Sequence, residues 1–189
     1  MELIDITQEL FSCRVYPGDR APGYDRVMRM PGDVCQLTDI TLCVHNGTHI
    51  DAPLHFIEDG QTVDAVDLSV FYGDCLVAES VAGNLQEERL LLKGEMEITA
   101  EEARLIAGSN VRLLGVESQS VGPMNEPAEV HRILLGAGII LLEGLDLSQA
   151  PPGRYTLSAF PLKLGGCEGS PVRAVLIKNT PPGGSRDLL

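Results

Sequence analysis

The segment from His45 to Phe56 most constrains the fold, because it crowds four chemically active side chains into a short run. Three of the chain's four histidines fall here, at positions 45, 49 and 55, and Asp51 lies between the last two. Imidazole nitrogens and carboxylate oxygens are the ligands that a divalent ion such as Zn²⁺ accepts. With 4% aromatic residues and no Trp in the chain, packing explains such a cluster poorly. The segment therefore predicts a metal site.

The local sequence indicates how these groups converge. The turn-forming residues 46–48 let His45 and His49 face each other across a loop or lie one helical turn apart. Pro53 disfavours helix in the residue before it and predicts an extended chain around it. In an extended chain alternate side chains share one side, which predicts a common side for His49, Asp51 and His55. Both geometries bring the ligands together.

Size and charge limit the classes of protein to consider. A chain of 189 residues is most simply a single domain, 1–189, that buries about 70% of its unfolded surface. Its net charge of −13 would repel nucleic-acid phosphates and anionic membranes, so neither is an expected partner. There is no basic segment followed by an apolar run at the N-terminus and no stretch long enough to span a bilayer. These features predict a cytoplasmic protein.

The five cysteines do not point to a disulfide framework. Their number is odd, their spacing is wide, and no C-x-x-C pair occurs, which also argues against a thiolate zinc site. Cys43 lies in the apolar run 40–44 and is expected to be a buried small hydrophobe. Cys167 lies in a Gly-rich stretch and is a candidate reactive thiol, although no neighbouring cation in the sequence would lower its pKa.

Two helices are predicted. The residues Thr99 to Glu102 form a capping box and Gly108 follows as a stop, which predicts a helix over 100–107. A second helix is predicted over 127–135, with Asn125 as its cap.

Most of the remaining pattern indicates strands. The Pro- and Gly-rich residues 11–35 are expected to form a binding loop or lid, and 181–184 a terminal loop. The chain is therefore predicted to be a strand-rich α/β protein with few helices. Strands are predicted at 3–7, 38–44 (buried), 74–80, 111–116, 139–142, 157–162 and 172–178.

The fourth histidine and one glutamate could complete the metal site. His131 lies early in the second predicted helix, and Glu143 directly follows the apolar strand after it. Taken alone, the two residues are explained as well by a surface histidine and a solvated strand end as by a functional site. Together with the first cluster they give six potential ligands, which suit two metal ions sharing a carboxylate better than one tetrahedral zinc. Asp51, in the middle of the first cluster, is the expected bridge.

The residues 45–56 resemble the H-x-G-T-H-x-D-x-P-x-H-F signature of the cyclase-like metal-dependent hydrolases, whose best-known members are the bacterial kynurenine formamidases. The resemblance covers nearly the whole chain. It includes the aromatic-Pro-Gly-Asp segment that begins at Tyr16, and His131 and Glu143 at the positions of the family's late ligands. The segments 160–163 and 170–174 are similar to its closing segments.

The resemblance implies a swivelling β/β/α fold in one domain. It also implies a homodimer or higher homo-oligomer in which N-terminal loops help to shape the pocket. The implied cofactor is Zn²⁺, two ions per subunit, with Mn²⁺ as the alternative. One ion would be held by His45, His49 and Asp51, and the second by Asp51, His131 and Glu143.

The implied reaction is hydrolysis of a small-molecule amide, with N-formyl-L-kynurenine of tryptophan breakdown as the first candidate. Zinc lowers the pKa of water from 15.7 to about 7 and polarises a carbonyl group. His55 would transfer the proton from the attacking water to the leaving amine, and Tyr16 would line the substrate pocket. The aniline-type leaving group makes this substrate an easier amide than a peptide.

Two other hypotheses remain open. The chain could open a cyclic amide or imide such as isatin, or it could be a catalytically idle metal-binding member of the family. The sequence departs from the family at Glu117 and Gly122, which replace aspartates, at 167–169, and at Tyr16, where formamidases have Trp. All implied ligands are intact. No Gly-x-Ser-x-Gly elbow occurs, which disfavours a serine hydrolase.

Overall fold

The structure, a computed structural model, describes residues 1–178. The predicted loop at 181–184, and with it the end of the predicted single domain 1–189, lies outside the described residues. Two α-helices are found within that range, α1 (Ala100–Ala107) and α2 (Ala128–Gly136). The strands are β1 (Glu2–Asp5), β2 (Gly23–Met28), β3 (Leu37–Thr41), β4 (His49–Asp51), β5 (Tyr72–Ala78), β6 (Arg89–Leu92), β7 (Leu113–Val116), β8 (Ile140–Glu143), β9 (Gly153–Ser158), β10 (Gly169–Pro171) and β11 (Val175–Lys178).

Nine of these strands form one curled mixed sheet in the order β1-β11-β9-β5-β6-β7-β8-β4-β10. Within residues 1–178, β2 and β3 pair only with each other. The four central strands, β5 to β8, run parallel. The strands on either side are antiparallel. The prediction of a strand-rich α/β fold with few helices is confirmed.

Two apolar cores lie on opposite sides of this sheet. Because side chains alternate along a strand, Leu142 of β8 enters one core together with Ile50 of β4. Its neighbour Leu141 enters the other core, where Ile106 of α1 and Leu134 of α2 pack. A side chain on the same side of β8 as Leu141 therefore faces the helices.

The two predicted helices are present. Helix α1 spans the predicted residues, and both halves of its capping box form between Thr99 and Glu102. Helix α2 begins at Ala128, and Pro127 rather than Asn125 occupies the cap position without a side-chain hydrogen bond. A proline at a helix start costs no backbone hydrogen bond, because the first N–H groups of a helix have no acceptor within it.

Several strand predictions hold in position but not in bounds. The strand predicted at 172–178 contains β11, which begins at Val175. The strand predicted at 157–162 is wrong for most of its length, because β9 spans Gly153–Ser158 and shares only residues 157 and 158 with it. Strand β6 has no counterpart among the predicted strands. Among residues 1–178, no helix combines the length and apolar character needed to cross a membrane.

Three predictions next to the histidine segment are wrong. The strand predicted as buried over 38–44 is β3, whose five residues are all exposed, and Cys43 is only half-buried. The reason is that β3 pairs with β2 in a hairpin that does not join the main sheet. Residues 53–55, predicted as extended, form a 3₁₀ turn. The fixed φ of Pro53 suits the first position of such a turn.

Candidate metal centre

The register of β4 and β8 brings an imidazole and two carboxylates together. These strands pair antiparallel with His49 directly opposite Glu143. Asp51 lies two residues after His49, so the two side chains share one side of β4. The exposed fractions of the three residues are 3% for His49, 0% for Asp51 and 3% for Glu143. Because Glu143 is on the same side of β8 as Leu141, the group faces α2.

His131 joins this group from α2. Its ring is buried, and its Nδ1 lies 2.8 Å from the carbonyl oxygen of Pro127. Its Nε2 lies 3.2 Å from Oε1 of Glu143 and 3.8 Å from Oδ2 of Asp51. The histidine and glutamate singled out in the second half of the sequence therefore meet the first cluster.

The Gly-Thr turn before β4 is anchored to the end of β8. The hydroxyl of Thr48 donates to the carbonyl oxygen of Gly144 at 2.6 Å and accepts from the N–H of Gln8 at 2.9 Å. Gly144 has φ +67°, and a Cβ there would collide with the carbonyl oxygen of Gly47. That same oxygen lies 2.9 Å from Nδ1 of His49. The turn thus fixes the orientation of the His49 ring.

The proton positions on the two buried rings follow from these contacts. A carbonyl oxygen only accepts, so Nδ1 of His49 and of His131 must each carry a proton. In the neutral rings, Nε2 is then a lone pair that faces carboxylate oxygens. His49 Nε2 lies 3.4 Å from Oδ1 of Asp51 and also 3.4 Å from Oε2 of Glu143. Lone pairs and carboxylates repel at this distance unless a proton or a metal ion lies between them.

The pKa shifts report the same demand for positive charge. Burial alone would lower the pKa of His49, but Asp51 and Glu143 raise it well above the usual value. Burial would also lower the pKa of His131, but Glu143 and Asp51 outweigh it and raise that pKa above its usual value. Burial would raise the pKa of Asp51, whereas its bonds to His45 and His49 hold it well below the usual range.

Unpartnered atoms show that these residues fit a metal ion. Oδ2 of Asp51 and Nε2 of His45 are buried and have no hydrogen-bond partner within residues 1–178. Buried polar atoms nearly always have a hydrogen-bond partner, and a bound ion or water is a common explanation for an exception. In metal-binding histidines one ring nitrogen binds the ion and the other typically donates a hydrogen bond, often to a backbone carbonyl, as Nδ1 of His49 and His131 does here.

His45 and His55 form the more open half of the cluster. Their ring centroids lie 4.1 Å apart, because the 3₁₀ turn folds His55 back toward His45. His45 Nδ1 is 2.9 Å from Oδ1 of Asp51, and its Nε2 is 3.4 Å from Oε1 of Glu168. Burial lowers the pKa of His55, which favours its neutral form.

The candidate ligand atoms fall into two groups, within each of which all atoms lie within 4.8 Å of one another. Asp51 belongs to both groups, as expected of a bridging carboxylate. The first group places His55 with His45, whereas the family resemblance assigns His45 to the same ion as His49. The division of ligands between two ions therefore stays a prediction. The groups are His45, Asp51 and His55, and His49, Asp51 and Glu143.

A cavity of about 180 Å³ adjoins the cluster. Tyr16 lines it, and its hydroxyl donates to the carbonyl oxygen of Met124 at 3.3 Å. That this cavity receives the substrate stays a prediction. Asp19 and Phe56 also line the cavity, and their places in the quoted motifs could have indicated this. Ser120 matches the serine of the family's Gly-x-Asp-x-x-Ser-x-Asp motif, in which Glu117 and Gly122 replace the aspartates. No local pattern marks Gln119 and Pro127, because the chain brings them here only by folding. The lining residues that were not predicted from the sequence are Asp19, Phe56, Gln119, Ser120 and Pro127.

The strand-rich α/β fold and its buried imidazole and carboxylate cluster define the class of metal-dependent hydrolases. Within that class, the chain belongs to the Putative cyclase family, whose profile matches residues 4–105. It is 34% identical over 206 residues to the kynurenine formamidase of Salinibacter ruber (strain DSM 13855 / M31), a match that covers 93% of this chain and 97% of that protein. The family predicted from the sequence is confirmed.

Solved structures share the fold over nearly the full length. A potential metal-dependent hydrolase with cyclase activity is 28% identical with a TM-score of 0.81, covering 95% of this chain and 99% of that one. Isatin hydrolase A from Labrenzia aggregata is 24% identical with a TM-score of 0.76, covering 94% of each chain. The second likeness establishes a common fold only.

Proposed function

We propose that this chain is a metal-dependent amide hydrolase that converts N-formyl-L-kynurenine to L-kynurenine and formate in tryptophan breakdown. The observation that carries the proposal is the convergence of buried imidazoles and carboxylates from β4, α2 and β8 on one centre beside a cavity. The similarity to a kynurenine formamidase over 93% of the chain supports the choice of substrate.

The five residues proposed as ligands would hold up to two Zn²⁺ ions, with Mn²⁺ as the alternative and Asp51 shared. When bound, such an ion supplies a Lewis acid that polarises the amide carbonyl and makes water acidic enough to attack near pH 7. The buried carboxylates of Asp51 and Glu143 contribute the negative charge that retains it. The proposed ligands are His45, His49, Asp51, His131 and Glu143.

His55 is the proposed proton carrier. Its ring lines the cavity and is half-buried. The lowered pKa keeps the ring neutral and able to accept a proton. It would take the proton of the attacking water and return it to the leaving nitrogen, a role that contributes about 10²–10⁴-fold in rate.

The remaining walls favour an aromatic amide that carries an amine. Tyr16, Phe56 and Pro127 offer apolar surface to an aryl ring. Asp19 adds a half-buried carboxylate to this wall. A carboxylate in this position would pair with the α-ammonium group of N-formyl-L-kynurenine, which isatin lacks. This feature favours the formamidase hypothesis over the cyclic-amide alternative.

Chelation followed by metal add-back tests the proposal. We expect a chelator to reduce hydrolysis of N-formyl-L-kynurenine by at least about 10²-fold, and Zn²⁺ or Mn²⁺ to restore it. Metal content is measured alongside by elemental analysis, and isatin is assayed in parallel. The kcat/KM for N-formyl-L-kynurenine should exceed that for isatin by at least about tenfold. Faster opening of isatin would favour the alternative, and a fully metal-loaded protein inert toward both would favour the idle member.

The proposed oligomer is a homodimer, and the β2–β3 hairpin supports it. An isolated two-stranded hairpin is marginally stable in water, yet this one pairs with no other strand of the described chain. It exposes Tyr24, Val27 and Ile40 by 51%, 49% and 57%. A second copy covering this surface would remove it from water and stabilise the hairpin.

Light scattering on the purified protein tests the dimer. The expected mass is about twice the 20.3 kDa of one chain. Ile40→Asp should shift the protein toward monomer, because it would bury a charge in the proposed interface. Leu105→Asp on α1 is the matched control, since Leu105 is exposed by 56% and Ile40 by 57%. A monomeric wild-type protein would rule the homodimer out.

A further inference from the structure

The segment that follows β7 is held rigidly beside the metal centre. The N–H of Val121 donates to Oε1 of Glu143 at 2.8 Å, and its carbonyl oxygen accepts from the N–H of Ile98 at 2.7 Å. At the other end, the carbonyl oxygen of Ser118 accepts from the N–H of Gly144 at 2.9 Å. Residues 119 and 120 are therefore fixed between two anchors, one of which is a proposed metal ligand.

Ser120 has a buried hydroxyl without a partner. The residue lines the cavity and is 3% exposed, and its Oγ makes no hydrogen bond within residues 1–178. Such a group loses its water on folding and normally regains a partner. The nearby Ser118 behaves in the ordinary way, since its Oγ donates to the Met96 carbonyl oxygen at 2.8 Å and accepts from the Met96 N–H at 3.1 Å.

The chemistry of the cavity shows what this hydroxyl could bind. Asp51 and Glu143 are acceptors when ionised, and the Nδ1 protons of His49 and His131 are already donated to backbone carbonyls. The Val121 N–H is likewise committed to Glu143. The Ser120 hydroxyl is thus a buried, uncommitted donor on a residue that lines the cavity beside the centre. An amide substrate brings a carbonyl oxygen, whose negative charge grows in the transition state.

We propose that Ser120 is a further catalytic residue, whose hydroxyl donates a hydrogen bond to the carbonyl oxygen of the scissile amide. This inference rests on the proposed amide hydrolysis. Backbone hydrogen bonds hold the residue in place before substrate arrives, so only rotation of the side chain is needed as charge develops on that oxygen. The bond is strongest in the transition state, so its loss lowers kcat more than it raises KM.

The test compares Ser120→Ala with Ser118→Ala in the metal-loaded, full-length protein. Ser120→Ala should lower kcat/KM by on the order of 10²-fold, mainly through kcat. Its metal content should stay that of wild type, and its Tm should not fall, because the lost hydroxyl has no protein partner. Ser118→Ala should show the opposite behaviour, with a lower Tm and retained kcat/KM, because it leaves the Met96 backbone groups unpaired.

The outcomes separate this inference from the proposed function. A decrease in kcat/KM smaller than tenfold in Ser120→Ala overturns the role of the hydroxyl while leaving the hydrolase intact. A large decrease accompanied by metal loss or a lower Tm also overturns it, since the residue would then be structural. Absence of amide hydrolysis by the metal-loaded wild-type protein rejects the proposed function itself, and this inference with it.

Discussion

Asp51→Asn is expected to abolish turnover, with kcat/KM lowered by at least about 10³-fold, and to lower the metal content of the purified protein. Asp51 is 0% exposed, and its Oδ1 lies 2.9 Å from His45 Nδ1 and 3.4 Å from His49 Nε2. The amide keeps the shape of the Asp51 side chain but removes its negative charge, so the metal ion is held less tightly. Loss of the ion removes the several kcal/mol of transition-state stabilisation that it provides. Elemental analysis and steady-state kinetics measure both effects.

Circular dichroism shows whether the Asn variant remains folded, so that misfolding is not mistaken for ligand loss. Asp59→Asn is the matched control, because Asp59 is an exposed carboxylate just beyond the 3₁₀ turn. It should retain wild-type metal content and activity. A folded Asp51→Asn protein that keeps its metal and its turnover would contradict the shared-carboxylate role.

His55→Ala is expected to keep its metal but lose turnover, with kcat lowered by about 10²–10⁴-fold. Burial lowers the pKa of His55, and its ring is half-buried and close to that of His45. The Nδ1 atoms of the three ligand histidines bond to Asp51 and to backbone carbonyl oxygens instead. His55→Gln should be similarly slow, because it preserves a polar side chain but cannot accept and return a proton at pH 7. Kinetics and elemental analysis on the same samples measure the two properties.

The measured metal content decides between two roles for His55. Its ring belongs to one of the two groups of candidate ligand atoms, together with those of His45 and Asp51. Loss of metal in both variants would make His55 a ligand rather than the proton carrier. Unchanged kcat with full metal content would remove it from the mechanism altogether.

Local chemistry made much of the centre predictable from the sequence. A run with three imidazoles and one carboxylate has few uses other than binding a cation, and Thr48 and Gly47 already indicated a turn. Helix α1 was predictable in full because its capping box and stop residue act within a few positions of the chain. The position of β3, the strand that leads into the histidine segment, was not predictable. Its apolar pattern does not reveal that it pairs with β2 outside the main sheet.

The sequence by itself determined the ligand types and the turn that presents them, because both depend on neighbours along the chain. Only the tertiary structure decided that His49 lies opposite Glu143, because register is a property of two strands that are distant in the sequence. It also decided that Ser120 reaches the cavity with an unpartnered hydroxyl. Burial and hydrogen-bond satisfaction are relations among distant residues, so no local pattern encodes them.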